Sequence, residues 1–179
     1  SGIDFHSIAY KGGYWGEMGS PLEQERFLKH VINSSPPTSE RKKRIFVDFQ
    51  HSESMRASFS RYLEFNEDRR SIFQQIVKTG LVDHSKRMSR NKLWKIKGQY
   101  AFSVSPCGNG LDCHRTWEDL ALGCIVIVKT SPLNPLYQDL PVVIINQWEE
   151  ITAENLERWL NQYSNASVNV KFRERLKNR

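Results

Sequence analysis

Short apolar runs alternate with amphipathic stretches along the chain, and this alternation predicts its secondary structure. Four strands are expected over residues 3–10, 45–49, 81–82 and 100–104. Two further stretches, residues 124–128 and 142–145, are apolar at every position. Such uniformly apolar runs are typical of strands that are buried on both faces of a parallel sheet.

Between the strands, apolar residues recur every three or four positions, which is typical of helices that pack along one face. The clearest helix start is Ser20-Pro21-Leu22-Glu23, where Ser20 is the expected N-cap and Glu23 follows it by three residues. Other helices are predicted over residues 68–79, 89–96, 113–122, 153–163 and 170–177. The first of these is expected to end at Gly80 and to turn inward Ile72, Phe73, Ile76 and Val77.

The order of these elements predicts the fold class. Because strands and helices alternate at short spacing, we expect an α/β fold, a Rossmann-like three-layer domain with a parallel sheet. A chain of 179 residues is expected to form one such domain, over residues 1–179. The longest apolar runs, 124–128 and 140–145, fall far short of the roughly 20 residues that a membrane span requires.

The cysteines indicate neither a disulfide framework nor a metal site. Cys107, Cys113 and Cys124 are odd in number, and their spacing does not fit zinc ligands. We therefore expect no metal, and we expect Cys124, which opens an apolar run, in the core. This cysteine usage favours a reducing compartment such as the cytoplasm. Sequons at Asn33 and Asn165 leave the secretory lumen open.

Positive charge exceeds negative charge, with 26 Lys+Arg against 20 Asp+Glu and a formal net charge of +6. Basic clusters occupy residues 41–44, 86–97 and 171–179. Such clusters suit a polyanion or a phosphate-bearing ligand, and each also fits an ordinary solvated face. One hypothesis is therefore a basic Rossmann-like module that binds nucleic acid or a nucleotide without catalysis. Against nucleic acid as the partner, the sequence contains no arginine-rich helix and no recognised nucleic-acid motif.

A glycine-containing loop follows the predicted strand over residues 100–104 and leads into a helix. Gly108 and Gly110, on either side of Asn109, allow the backbone to approach a ligand closely. The N–H groups at the start of the helix favour an anion, and Asp112 is its expected N-cap. A tight turn without any ligand explains the same residues, so this loop alone leaves both interpretations open.

A dinucleotide-binding fingerprint fits this loop poorly. The third glycine position of that fingerprint falls on Cys113, and the next strand ends in Lys129-Thr130 without an acidic residue for a ribose. The loop also lies late in the chain, whereas the fingerprint usually belongs to the first strand and helix. These differences argue against NAD as a ligand.

The helix after the loop carries its charged side chains away from an apolar stripe. That stripe, expected to face the sheet, consists of Trp117, Leu120 and Ala121. Arg115 is expected nearly opposite it, with His114 and Glu118 on its flank. One interpretation gives Arg115 or His114 a phosphate and Glu118 a sugar hydroxyl. The other is a weak surface pair between Arg115 and Glu118.

Residues 103–128 carry a series of motifs that resembles a known family. They contain, in order, Gly108-Asn109-Gly110-Leu111-Asp112, His114-Arg115-Thr116-Trp117-Glu118 and Leu122-Gly123-Cys124-Ile125-Val126-Ile127. This series resembles the nucleotide-sugar-binding segment of GT-B glycosyltransferases and is most similar to that of the exostosin-like group. That group has Glu-Ala-Leu in the helix, where this chain has Glu118-Asp119-Leu120.

The resemblance implies a fold similar to the C-terminal half of a GT-B enzyme, and a glycosyltransferase activity. A sugar would pass from a UDP- or GDP-linked donor to a hydroxyl of a glycan or protein-linked sugar acceptor, without a required metal. The loop and Arg115 are expected at the donor diphosphate and Glu118 at the ribose, whereas no catalytic base is assigned. An acceptor domain is not expected within this chain. The candidate donor-binding residues are Gly108, Asn109, Gly110, Asp112, His114, Arg115 and Glu118.

Loops at the carboxyl ends of the other strands are expected to line the same crevice, because ligands bind there in open parallel sheets. The candidates are Trp15 for a base or sugar, Gly16 in the same loop, His51 for proton chemistry and Arg87 for phosphate. The alternatives are a packing role for Trp15 and a solvated position for Arg87. Asp48, close to a strand end, also fits a purely structural carboxylate.

Overall fold

The computed structural model describes residues 20–49, 68–85, 88–107 and 111–164. The strands are β1 Lys42–Val47, β2 Val82–His84, β3 Tyr100–Val104, β4 Ile125–Lys129 and β5 Val142–Ile145. The α-helices are α1 Pro21–Ser34, α2 Arg69–Val77, α3 Arg90–Lys97, α4 His114–Ala121 and α5 Ala153–Tyr163. Short 3₁₀ turns cover Thr38–Glu40, Asn134–Tyr137 and Trp148–Glu150. The strand predicted over residues 3–10 and the helix predicted over 170–177 lie outside the described residues.

The strands form one all-parallel, five-stranded sheet in the order β2-β1-β3-β4-β5. Phe46 of β1, for example, pairs with Asp83 on one side and with Ser103 on the other. Helices cover both faces of this sheet, so the predicted α/β, Rossmann-like three-layer fold is confirmed.

The first described strand begins in the basic stretch, at Lys42 rather than at residue 45. Arg44 donates to both carboxylate oxygens of Asp83 on β2, at 2.9 and 2.7 Å, and the Lys42 ammonium lies 4.9 Å from the centre of the Tyr100 ring on β3. These cross-strand contacts extend β1 beyond its apolar part. The hydrophobic pattern therefore placed the strand start too late.

Each face of the sheet has its own apolar packing. On one face, α2 and α5 bury residues such as Ile76 and Trp159 against the central strands. On the other face, α1, α3 and α4 contribute Leu28, Trp94 and Leu120. Coverage of both faces explains why the central strands carry few polar side chains.

Most predicted helix ends are confirmed. The Ser20 hydroxyl accepts a hydrogen bond from the Glu23 amide at 3.2 Å, as expected of an N-cap. Gly80, beyond the end of α2, has a φ of 72°, a conformation in which glycine carries no steric cost. The inward orientation predicted for Val77 is wrong, since Val77 lies in the last turn of α2 and is 38% exposed.

The strand order creates a switch point between β1 and β3. From β1 the chain moves outward to β2 and then returns across β1 to β3, β4 and β5. Helix α2, which follows β1, and helix α4, which follows β3, pack on opposite faces of the sheet, and such a switch point is where open α/β sheets bind ligands. Asp48 follows β1 at this point, and the glycine-containing loop follows β3.

Candidate functional site

Two hydrogen bonds join the segment that follows β3 to the start of α4, across the glycine-containing loop in sequence. The Thr116 hydroxyl donates to the Ser105 hydroxyl at 2.9 Å, and the Cys113 thiol donates to the Pro106 carbonyl oxygen at 3.4 Å. Ser105 and Thr116 are both buried. These contacts bring the end of the strand and the start of the helix together, as the predicted strand–loop–helix arrangement requires.

A further arginine contacts this segment from the opposite layer. Arg69, the first residue of α2, donates its Nε–H to the Cys107 carbonyl oxygen at 2.8 Å. Its neighbour Asp68 caps α2 by accepting from two backbone amides of the first turn. Sequence reasoning missed Arg69, because nothing local indicates that α2 begins beside the end of β3.

Arg115 projects from the first turn of α4 toward the end of β1. Its Nε–H donates to Asp48 Oδ1 at 2.7 Å, and its guanidinium carbon lies 5.9 Å from the centre of the Phe49 ring. The prediction that Arg115 lies opposite the buried stripe is therefore only partly right. Its side chain is 18% exposed and faces the switch point, because α4 is covered on more than one side.

Asp48 and Arg115 belong to a buried charge cluster, which also contains Lys97 and Asp119. The Lys97 ammonium contacts Asp48 Oδ2 at 2.7 Å and Asp119 Oδ1 at 2.5 Å. The Lys97 and Asp119 side chains are 0% exposed. Each charge has an opposite partner, as burial demands, because an isolated buried ion costs several kcal/mol.

Burial and the surrounding charges shift the two carboxyl groups of the buried charge cluster in opposite directions. Burial alone would raise the pKa of Asp48, but the charges of Lys97 and Arg115 outweigh it and lower that pKa. Burial raises the pKa of Asp119 to about 6, against the charge of Lys97 and with the help of the Asp48 charge. The shifts match the positions, since Asp48 has two cationic partners and Asp119 has one.

Glu118 is buried against α3 rather than placed on the open side of α4. Its Oε1 lies 3.3 Å from a terminal nitrogen of Arg90, and its Oε2 accepts from the Trp94 indole at 3.4 Å. Arg115 and Glu118 therefore pair with different elements, and their predicted surface pair is replaced by these contacts. The ribose contact assigned to Glu118 stays a prediction.

The other two described candidates, Asp112 and His114, are exposed at the entrance of α4. The N-cap of this helix is Cys113, whose side chain makes no capping hydrogen bond, so the prediction of an Asp112 cap is wrong. Asp112 Oδ1 instead accepts from the Trp117 indole at 2.7 Å, which holds the carboxylate over the helix. His114 begins the helix, one residue after the predicted start at Cys113.

The remaining candidates lie outside the described part of the chain. They are Trp15, Gly16, His51, Arg87, Gly108, Asn109 and Gly110.

Neither Lys97 nor Asp119 was predicted as part of a site. Lys97 ends α3 in a basic run that reads as a solvated face, and Asp119 lies beside the apolar Leu120. The pattern contained no signal for Asp119, because it lies one helical turn after Arg115, on the side of α4 away from the predicted apolar stripe. Cys124 is in the core, as predicted, and burial raises its pKa to about 12.

Within the described ranges, no group of three or more His, Cys, Asp or Glu side chains is arranged to hold a metal ion. None of the helices in those ranges combines the length and the apolar character needed to cross a bilayer. No protein-family model matches the chain, and a comparison with curated proteins gave no match either.

Proposed function

We propose that this chain is the donor-binding domain of a glycosyltransferase and holds the diphosphate of a UDP- or GDP-linked sugar beside the carboxyl ends of β1 and β3. The observation that carries the proposal is the position of Arg115 and the start of α4 at the switch point of the sheet. The motif resemblance of residues 103–128 supplies the nature of the ligand.

The side chain of Arg115 suits a phosphate group. In the part of the chain that the structure describes, its hydrogen bond to Asp48 uses Nε alone, and both terminal amino groups make no hydrogen bond. Guanidinium groups bind phosphate oxygens through two parallel N–H donors. The backbone N–H groups in the first turn of α4, together with the helix dipole, add positive potential beside it.

Sugar transfer benefits from this arrangement at the leaving group. The acceptor hydroxyl loses its proton to solvent or to the departing diphosphate while its oxygen forms a bond to the anomeric carbon. The bond from that carbon to the diphosphate oxygen breaks, and the diphosphate leaves with the electron pair. Arg115 and the α4 amides would stabilise the negative charge that grows on the leaving oxygen. The assignment of Glu118 to the ribose rests on the resemblance alone. Both oxygens of its carboxylate already have partners on α3, in Arg90 and Trp94.

Calorimetric titration with UDP, GDP and NAD tests the proposal in wild type, Arg115→Ala and the control Arg158→Ala. Arg158 is exposed on α5, and its substitution removes the same charge from the face of the sheet opposite α4. We expect UDP or GDP to bind, and Arg115→Ala to weaken that binding about 10- to 100-fold, as loss of a charge-assisted hydrogen bond implies. Arg158→Ala should leave it unchanged. Absence of UDP and GDP binding, or equal affinity in Arg115→Ala, would contradict the proposal.

The alternative, a nucleic-acid module, depends on a continuous basic face over residues 86–97. Lys97 is fully buried, and Arg90, with a side chain only 12% exposed, contacts Glu118. Both cations point inward, so the basic surface is smaller than the sequence suggests. Binding to a single-stranded oligonucleotide that falls steeply with added salt would favour this alternative.

A further inference from the structure

We infer that Asp48 is a positioning residue. It holds the Arg115 guanidinium so that the two terminal amino groups face the switch point between β1 and β3, where the ligand would bind. The inference rests on the proposed function, because it assigns Asp48 a role in binding the same diphosphate. Asp48 would not touch the ligand and would act through Arg115.

The two oxygens of Asp48 have separate tasks. Lys97 takes Oδ2 at 2.7 Å, so Arg115 has Oδ1 alone, at 2.7 Å from its Nε. An aspartate with both oxygens available forms a paired, two-bond contact with arginine, which occupies a terminal amino group. Arg44 and Asp83 form such a contact in this chain, through Nε and Nη2. By holding Oδ2, Lys97 prevents the same arrangement at Arg115.

The buried charge cluster is also graded from the interior to the surface. Asp119 and Lys97 are 0% exposed, Asp48 is 12% exposed and Arg115 is 18% exposed. The fully buried Lys97–Asp119 pair thus fixes Asp48, and Asp48 fixes Arg115 at the edge that solvent reaches. A flexible surface arginine would have to lose side-chain freedom on binding a ligand, whereas this one has lost it already.

Charge alone predicts the opposite effect of removing Asp48, and this difference makes the inference testable. A carboxylate beside a phosphate site repels the anion, so Asp48→Asn should strengthen anion binding if Asp48 acts by charge only. If Asp48 positions Arg115, the same substitution should weaken binding. The sign of the change separates the two explanations.

The experiment is calorimetric titration of inorganic pyrophosphate, and of UDP or GDP, whichever binds wild type, into wild type, Asp48→Asn, Arg115→Ala and the double variant. We expect Asp48→Asn to weaken both ligands about tenfold, and the double variant to bind no more weakly than Arg115→Ala, because contacts that act through one another are not additive. The matched control is Asp83→Asn, which removes another arginine-paired carboxylate, on β2, and should leave both affinities unchanged. Thermal unfolding of every variant establishes that it is folded.

The outcomes separate this inference from the proposed function. No binding of pyrophosphate, UDP or GDP to wild type would overturn both. Binding that Arg115→Ala weakens but Asp48→Asn strengthens or leaves equal would overturn the positioning role alone, and so would a double variant with multiplied losses. If Asp48→Asn does not fold, Asp48→Glu replaces it, because a longer side chain keeps the charge but displaces the guanidinium. We then expect weaker binding, and wild-type affinity would overturn the inference.

Discussion

At the scale of single residues, the most informative group is the buried carboxyl of Asp119. Its side chain has no exposed surface and contacts a lysine that Asp48 also contacts. Two carboxylates thus share the Lys97 ammonium, and Asp48 has the additional support of Arg115. The cost of burial therefore falls mainly on Asp119, whose pKa is raised to about 6 by that burial, while Lys97 opposes the shift and Asp48 adds to it.

This shift predicts a pH dependence of stability. The folded protein holds a proton on Asp119 up to about pH 6, whereas the unfolded chain releases it near the ordinary value of 3.8. The folded state thus binds more protons between these values, so this group's contribution to the free energy of unfolding falls as pH rises through the window. We expect wild type to lose about 1–3 kcal/mol more than Asp119→Asn between pH 4 and pH 7.

Urea unfolding of the two proteins at a series of pH values measures this difference. The asparagine keeps the size of the side chain, and Lys97 retains Asp48 as its partner. Parallel curves for the two proteins would show that Asp119 does not titrate in this window. A wild-type curve that rises with pH relative to the variant would reverse the assigned shift.

At the scale of elements, the C-terminal end of α4 is fastened to the chain before β1. Arg41 donates to the Leu122 carbonyl oxygen at 2.9 Å, and the Thr38 hydroxyl donates to the Gly123 carbonyl oxygen at 2.9 Å. Carbonyl groups at a helix end lack partners within the helix, and a cation there also suits the helix dipole. These contacts hold α4, and with it the first turn that carries Arg115, against the sheet.

Gly123 and Gly80 offer a matched test of this attachment. Both have positive φ, at 83° and 72°, but a Cβ on Gly123 would lie 2.9 Å from a terminal nitrogen of Arg41, whereas one on Gly80 meets nothing within 4 Å. Gly80→Ala should therefore cost only the backbone strain, about 1–2 kcal/mol. We expect Gly123→Ala to cost more, since Arg41 must also move. Chemical denaturation of both variants checks this, and equal losses would show that the Arg41 contact does not constrain the turn.

The elements of the fold were predictable from sequence to a greater extent than the site. The bounds of β3, β5 and α5 match the pattern, because apolar runs and helical spacing are local properties. The contacts of Arg115 with Asp48 and of Lys97 with Asp119 join residues far apart in the chain. Their pairing depends on the strand order, which local periodicity does not contain. The place of Arg115 in the first turn of the helix after β3 was thus predictable, whereas its contact with Asp48 was not.

At the scale of the whole molecule, the strand order decides where a ligand can bind. Helices α2 and α4, which follow β1 and β3, lie on opposite faces, and Asp48, Arg115 and Cys107 lie at one edge of the sheet between them. Among the described residues, the positive side chains do not gather there as one large surface, since Lys97 is buried within the domain and Arg44 pairs with Asp83. The described charges thus accord with the proposed small phosphate-bearing ligand at the switch point better than with a long polyanion.

The central claim is that a nucleoside diphosphate binds at this edge, and the location of bound UDP or GDP tests it most directly. Titration of ¹⁵N-labelled protein with UDP and with GDP, followed through backbone amide signals, reports which residues sense the ligand. The account predicts that at least one nucleotide shifts signals concentrated after β1, after β3 and in the first turn of α4, including Arg115. Shifts concentrated elsewhere, for example along β5 or α5, or no shifts with either nucleotide, would contradict it.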